Sequence, residues 1–322
     1  MAIGVVCLFV VSGAASAMTV SSYAWKEISH EGNINIAYSN NVYDPEVGTE
    51  VMLASPYTSN NISTFALENG KWVNLHVNTP QNAGYCAGFS GPMLVYDTSD
   101  RYLLLVDAFH PYCGDEPSAT AGASSHVMLW KFEGMRWSFI PTAGGPLVSY
   151  RSSPLVLYDL SDGYILFAGG DQPAQDWSYQ GGVWNKLPAA PVTVDNPILY
   201  DSAIGKVLMI SSGYWTFHAG TWARIFPADR PNANEATSAG YDPHLQALWV
   251  QISIPNALYG DWLWKDGESG FVNITAQTQN PFLVCDAAAT ALNLNYDPTL
   301  KALVCQGSPE NGGSGYGLWE FT

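Results

Sequence analysis

The chain has 322 residues, of which only 12% are charged and 13% are aromatic, and its 28 acidic against 12 basic side chains give a formal net charge of -16. That charge repels phosphate backbones and anionic lipid, which excludes nucleic acid as an expected partner. The length is ample for one large all-β domain, and such sparse charge suits an extracellular protein kept soluble by Asn, Ser, Thr and Gly.

Residues 1–17, MAIGVVCLFVVSGAASA, form a short apolar run ending in Ala15-Ser16-Ala17, the small-x-small pattern of a signal-peptidase site. The run lacks a positive n-region and is shorter than the roughly 20 residues a spanning helix needs. It reads as an export signal, with a short hydrophobic anchor or pilin-like stem as the alternative. The remaining 18–322 are expected to form one domain, with no membrane insertion once the signal is removed. Removal also takes away Cys7 and leaves Cys86, Cys113, Cys285 and Cys305. An even number in an exported chain is compatible with disulfides, and three pairings are open.

Further along, a Tyr-Asp dipeptide recurs at Tyr43-Asp44, Tyr96-Asp97, Tyr158-Asp159, Tyr200-Asp201, Tyr241-Asp242 and Tyr296-Asp297, at intervals of 53, 62, 42, 41 and 55 residues. Such intervals bracket the period of four-stranded propeller blades once loop insertions are allowed. Each dipeptide is followed by a turn and a short apolar run, as in VMLA at 51–54, YLLLVDA at 102–108 or ALWVQI at 247–252, which predicts a buried second strand. The Asp suits the turn, because its carboxylate can accept backbone N–H groups two residues on.

A second signature places two aromatics seven residues apart across a glycine-bearing turn: Phe65 and Trp72, Trp130 and Trp137, Trp177 and Trp184, Trp215 and Trp222, Trp264 and Phe271. These predict third-to-fourth-strand hairpins. The last repeat has Trp319 and then the chain ends, while YAWKEI at 23–28 matches the outer strands KWVNL, RWSFI, VWNKL and TWARI. The predicted fold is therefore an all-β six-bladed β-propeller of four-stranded antiparallel blades, with the N-terminal strand at about 23–28 completing the last blade. Closure of this kind abolishes the exposed sheet edge. Within it the Tyr-Asp tyrosines and the outer-strand tryptophans are expected as core between blades. Cys86 with Cys113 and Cys285 with Cys305 become the favoured disulfides, since each pair falls inside one repeat.

The Tyr-Asp turns and spaced aromatics resemble those of kelch-repeat propellers, the superfamily that includes the central domain of galactose oxidase. A Gly-Gly doublet after the second strand, also part of that pattern, survives only as Gly169-Gly170. The resemblance covers about residues 20–322 and implies fold rather than activity, because one fold hosts many functions.

In a propeller the loops from outer to next inner strand, and from second to third strand, meet on one face around the central channel. Ligand-binding candidates there are Arg151, Arg230, Glu235, Asp107, Asp171 and Asp176, the arginines being suited to a carboxylate. The insertion after Asp107 carries His110, Cys113, Asp115, Glu116 and His126 without a recognisable ligand spacing, so no metal site and no cofactor are expected. Sequons stand at Asn61 and Asn273, and Asn61, in a loop, is the accessible one.

No sialidase box and no Gly-x-Ser-x-Gly elbow is present, and pairing all four cysteines leaves none for a galactose-oxidase-type copper site. The expectation is a secreted or cell-surface, non-catalytic recognition module that binds glycan or a surface protein through the top-face loops. A carbohydrate-active enzyme such as a kelch-type sialic-acid mutarotase, with Arg230 and Glu235 at its centre, is the alternative. A structural subunit of a surface layer or appendage is the third reading.

Overall fold

The structure, a computed structural model, describes residues 23–30, 34–35, 41–56, 62–80, 93–107, 125–148, 155–169, 175–192, 197–254, 258–279, 283–284, 294–309 and 317–322. Six inner strands end on the six Tyr-Asp dipeptides: Asn41–Asp44, Met93–Asp97, Leu155–Asp159, Ile198–Asp201, Ala236–Asp242 and Leu294–Asp297. In every one, Oδ1 of the Asp accepts the backbone N–H groups two and three residues on, at 2.7 to 3.4 Å. The fourth residue after each Asp then takes a φ between 52° and 81°. The side chain thus replaces backbone partners that a tight reversal cannot supply.

Each turn feeds a second strand, among them Thr49–Pro56, Tyr164–Ala168 and Lys206–Ile210. Their described side chains are mostly sealed from solvent, Leu103, Ile165, Val207 and Leu303 completely. Third and fourth strands follow as hairpins, so that four-stranded antiparallel sheets recur around a ring of six blades. Blade six takes its outer strand from the other end of the chain: Tyr23–His30 pairs antiparallel with Gly317–Phe321, Trp25 standing opposite Phe321.

The aromatic signature proves to be a five-residue contact. In blades two, three and four the outer-strand tryptophan packs at a tilt on the cross-strand aromatic five positions earlier: Phe132 and Trp137 at 5.1 Å, Tyr179 and Trp184 at 5.0 Å, Phe217 and Trp222 at 4.9 Å. Trp25 and Phe321 reproduce this across the closure at 5.0 Å. The residue seven positions before, as Trp177 or Trp215, instead faces the outer-strand residue two beyond the tryptophan, where Lys186 and Arg224 lie over the rings at 5.2 and 5.5 Å. In these blades the seven-residue spacing reflects two interleaved cross-strand pairs, whereas in blade five Trp264 and Phe271, seven residues apart, are in direct contact at 5.2 Å.

The Tyr-Asp tyrosines are not simple core. Tyr96, Tyr158, Tyr200, Tyr241 and Tyr296 line the central cavity, and all but Tyr241 keep partial exposure. Several hydroxyls reach back to the turn of the preceding blade: Tyr158 to Ser99 at 2.5 Å, Tyr200 to Ser161 at 2.9 Å, and Tyr43 to Thr299 at 3.0 Å. A phenol keeps its polar end wet while its ring packs, which is why the sequence position alone read as core. Trp72 and Trp222 are likewise only half-buried, whereas Trp137 and Trp184 are buried.

At the seam of blades six and one the pattern turns polar. Asn41, Glu50 and Asn295 occupy positions held in blade two by Leu94, Leu103 and Val95. Both Asn Nδ2 groups donate to Glu50 Oε2, at 2.8 and 3.2 Å. Glu50 is wholly buried, and burial pushes its carboxyl up to about 8.

Candidate functional site

Alternation of strand direction sends every Tyr-Asp turn and every third-to-fourth-strand turn to one end of the ring. The opposite end collects the connections in which a ligand could be held. Blade four has a very short second-to-third-strand connection there, Ser211, Ser212 and Gly213, and beside it runs the 226–235 connection to blade five. Because so short a loop covers little, a cleft of 540 Å³ opens between them, lined by Ser212, Gly213, Tyr214, Arg224, Asp229, Arg230, Pro231, Asn232, Ala233 and Asn234.

The connection is held at both ends. Ala228 first runs beside the outer strand of blade five, its N–H donating to Ser269 O and its O accepting from Phe271 N–H, each at 3.0 Å. Gly270 sits so close that a Cβ there would lie 1.9 Å from Ala228 O. The chain then turns inward; the buried Tyr214 hydroxyl donates to Pro231 O at 3.0 Å, and Asn232 Oδ1 accepts Asn234 N–H at 3.2 Å. Ser212 and Asp229 carry positive φ of 49° and 45° without being glycine, backbone conformations that persist where surrounding packing imposes them.

Arg224 lies over both Trp215, at 5.5 Å, and Phe226, at 5.1 Å, while Arg230 lies 5.9 Å from the same Phe226 ring and donates through Nη1 to Pro227 O at 2.9 Å. Phe226 itself is 67% exposed. The arrangement offers two guanidinium groups and a carboxylate, Asp229, lining one concavity, with the exposed Phe226 ring held beside it by both arginines. That combination can hold a polyhydroxylated ring with an acidic group.

Of the sequence candidates, Arg230 lines this cleft. Glu235 closes the short 3₁₀ turn Ala233–Glu235 beside it but is not among the lining residues. Asp176 has a different role: it is fully buried, Oδ1 accepting Gly169 N–H at 3.1 Å and Oδ2 accepting Trp222 Nε1–H at 2.9 Å, and burial raises its carboxyl above the usual range. Both its oxygens are engaged in joining blades three and four. Asp107 is placed by its backbone, opposite Met128. Arg151, Asp171, Asn61, Cys86, Cys113, Cys285 and the 1–17 segment lie outside the described residues. Cys305 is buried on the second strand of blade six. Asn273, expected to be inaccessible in its outer strand, is exposed.

Arg224, Asp229 and Phe226 were missed by sequence reasoning. Arg224 stands two residues after the repeating outer-strand tryptophan, where Phe139 and Lys186 stand in blades two and three. A cation there is visible in the repeat, but only folding brings the 229–234 segment against it.

A second cavity, of 350 Å³, occupies the channel centre and is walled by Val, Leu and Ile, mostly of the inner strands, and by five of the Tyr-Asp tyrosines, with Asn41 and Asn295 also lining it. Its lining residues lack the convergent charged groups of the top-face cleft.

The ring of six four-stranded blades makes this protein a six-bladed β-propeller. Solved structures similar to it include a protein of unknown function from Bacteroides thetaiotaomicron, with a TM-score of 0.56 and 9% identity over 94% of this chain and 76% of that one. Another is the SapL1 lectin in complex with α-methyl fucoside, with a TM-score of 0.54 and 11% identity over 91% of this chain and 94% of that one. At such identities the likeness is one of fold. No protein-family model and no curated protein matches the chain.

Proposed function

We propose that this propeller is an exported, kelch-like, non-catalytic recognition module that binds glycan through its top face, with the cleft between blades four and five as its principal site. The observation that carries the reading is the pair of guanidinium groups, Arg224 and Arg230, that line a 540 Å³ cleft and lie over the exposed Phe226 ring beside it. Sugars pair apolar ring faces with hydroxyls that need fixed polar partners, and this cleft offers both. SapL1, a lectin of similar fold, carries a methyl fucoside in its structure, which lends support to carbohydrate as the ligand class. The N-terminal apolar run, removed to leave residues 18–322, and disulfides Cys86–Cys113 and Cys285–Cys305 complete the proposal for a protein of the cell surface or its surroundings. The catalytic alternative has less support, since Asp229 rather than Glu235 shares the cleft with Arg230.

The test is a glycan-array screen of residues 18–322 at neutral and acidic pH, followed by titration of the best ligand in solution. Saturable binding that 226–235 substitutions weaken is expected. Absence of binding to any glycan at either pH overturns the carbohydrate reading and leaves a surface protein as the partner.

A further inference from the structure

We propose that the blade-four/five cleft selects an acidic sugar, a glycan residue bearing a carboxylate or sulfate group, which Arg224 and Arg230 hold while Phe226 packs against the sugar ring. The inference rests on the reading of that cleft as a glycan site and adds the chemical class of its ligand and two residues, Arg224 and Phe226, that decide it.

Charge distribution makes the cleft unusual. Only 12 of 322 residues are Lys or Arg in a chain of net charge -16, yet two of them line one concavity. Lys26, Arg101 and Lys131 are each paired with a glutamate, at 2.9, 2.6 and 2.7 Å. The other eight described cations, Arg224 and Arg230 among them, have no described carboxylate within 4.0 Å; what sets these two apart is that they line one concavity, which Asp229 shares. With Asp229 counted against the two guanidinium groups, the cleft keeps one net positive charge.

The guanidinium groups are set for an anion. Arg224 lies over the Trp215 and Phe226 rings, contacts that consume none of its N–H donors and leave them for an anionic acceptor. Arg230 spends one of its five donors on Pro227 O. Gly213 makes room for this: a Cβ there would lie 3.2 Å from Arg224 Nε and 3.3 Å from its Nη2. Each held guanidinium loses less freedom on binding than a mobile surface arginine does.

Two further features narrow the ligand. The surrounding charge of -16 repels extended polyanions at distances near the Debye length, about 8 Å at physiological salt, so attraction comes only from short-range contacts in the cleft. Asp229 repels a second anionic group but accepts hydroxyls, and Phe226, 67% exposed, offers a face to ring C–H groups. A sugar with one anionic substituent and neighbouring hydroxyls satisfies all four side chains.

The test is isothermal titration of residues 18–322 with three galacto-oligosaccharide probes of matched length: one ending in a single galacturonate, one bearing a single sulfate ester, and one neutral. Wild type is compared with Arg224→Gln, Arg224→Lys, Arg230→Gln and Phe226→Ala, each checked for an unchanged unfolding midpoint. We expect the anionic probes to bind at least about tenfold more tightly than the neutral one, about 1.4 kcal/mol, with Arg224→Gln and Arg230→Gln erasing that preference. Arg224→Lys keeps the charge but loses the fork, and recovers only part. Whichever of carboxylate and sulfate binds names the substituent. Equal binding of the neutral probe, insensitive to both arginines, overturns the acidic-sugar inference while the glycan reading survives. Failure of every probe and of the array together overturns both.

Discussion

The Tyr43 hydroxyl lies 3.0 Å from Thr299 Oγ1, joining the inner strand of the first blade to the turn of the last. The bond spans 256 residues of sequence and repeats, at the point where the ring closes, what Tyr158 with Ser99 and Tyr200 with Ser161 do between consecutive blades. Tyr43→Phe and Thr299→Val are each expected to cost about 0.5–1 kcal/mol in urea unfolding, the bond being exposed. The double variant should lose little more than either single one. Full additivity would show that the two hydroxyls are not partners.

Closure depends more heavily on Trp25, 1% exposed and packed on Trp249 at 5.2 Å and Phe321 at 5.0 Å. Trp25→Ala should cost about 3–5 kcal/mol. Trp72→Ala, at the half-buried equivalent position of blade one, should cost clearly less. Equal losses would mean that the N-terminal strand adds nothing special to the ring.

Glu50 links stability to pH. Its folded-state value of about 8 stands above the ordinary 4.5, so between those values the folded protein holds a proton that the unfolded chain releases. Stability from this group is full below about pH 4.5 and falls as pH rises toward 8, by about 1.4 kcal/mol per pH unit. Burial also raises Asp261, to about 6, so the wild-type unfolding midpoint should be higher at pH 5 than at pH 8. Glu50→Gln keeps a donor and an acceptor without the titration, and its advantage over wild type should grow between pH 5 and 8. A constant difference across that range would show that Glu50 does not titrate there.

Asp176→Ala strands the buried Gly169 N–H and the Trp222 indole N–H. The expected loss is at least about 2 kcal/mol of stability, with ligand affinity unchanged in the fraction that remains folded. A selective loss of affinity without loss of stability would return Asp176 to the binding site.

Gly270→Ala tests the strap that holds the cleft. Its new Cβ would lie 1.9 Å from Ala228 O, and the backbone must part there at a cost of about 1–3 kcal/mol. Hydrogen exchange should accelerate at Ala228 N–H and Phe271 N–H, which form the two bonds of this contact. Unaltered exchange would place the strap's rigidity elsewhere.

The architecture was legible because it is repeated. Asp in a turn solves the same local hydrogen-bonding problem six times, and a second strand buried between neighbouring blades is predominantly apolar, so both left a period in the sequence. Even the displaced outer strand was readable, since Trp25 carries the same aromatic that each blade needs. What the repeat hid was direction: whether Tyr96 faces a neighbour or the channel, and which of two interleaved partners Trp137 touches, depend on the register of paired strands. The site was less legible still. Asp176 had the composition of a ligand residue, but the fold buried it against Trp222. Arg224, 12 residues after Ser212 and 10 before Asn234, became part of a site only when two neighbouring loops met around its guanidinium group. Repetition writes secondary structure and blade order into the chain, whereas a binding cleft arises where the repeat is broken, in connections whose meeting is decided by the ring as a whole.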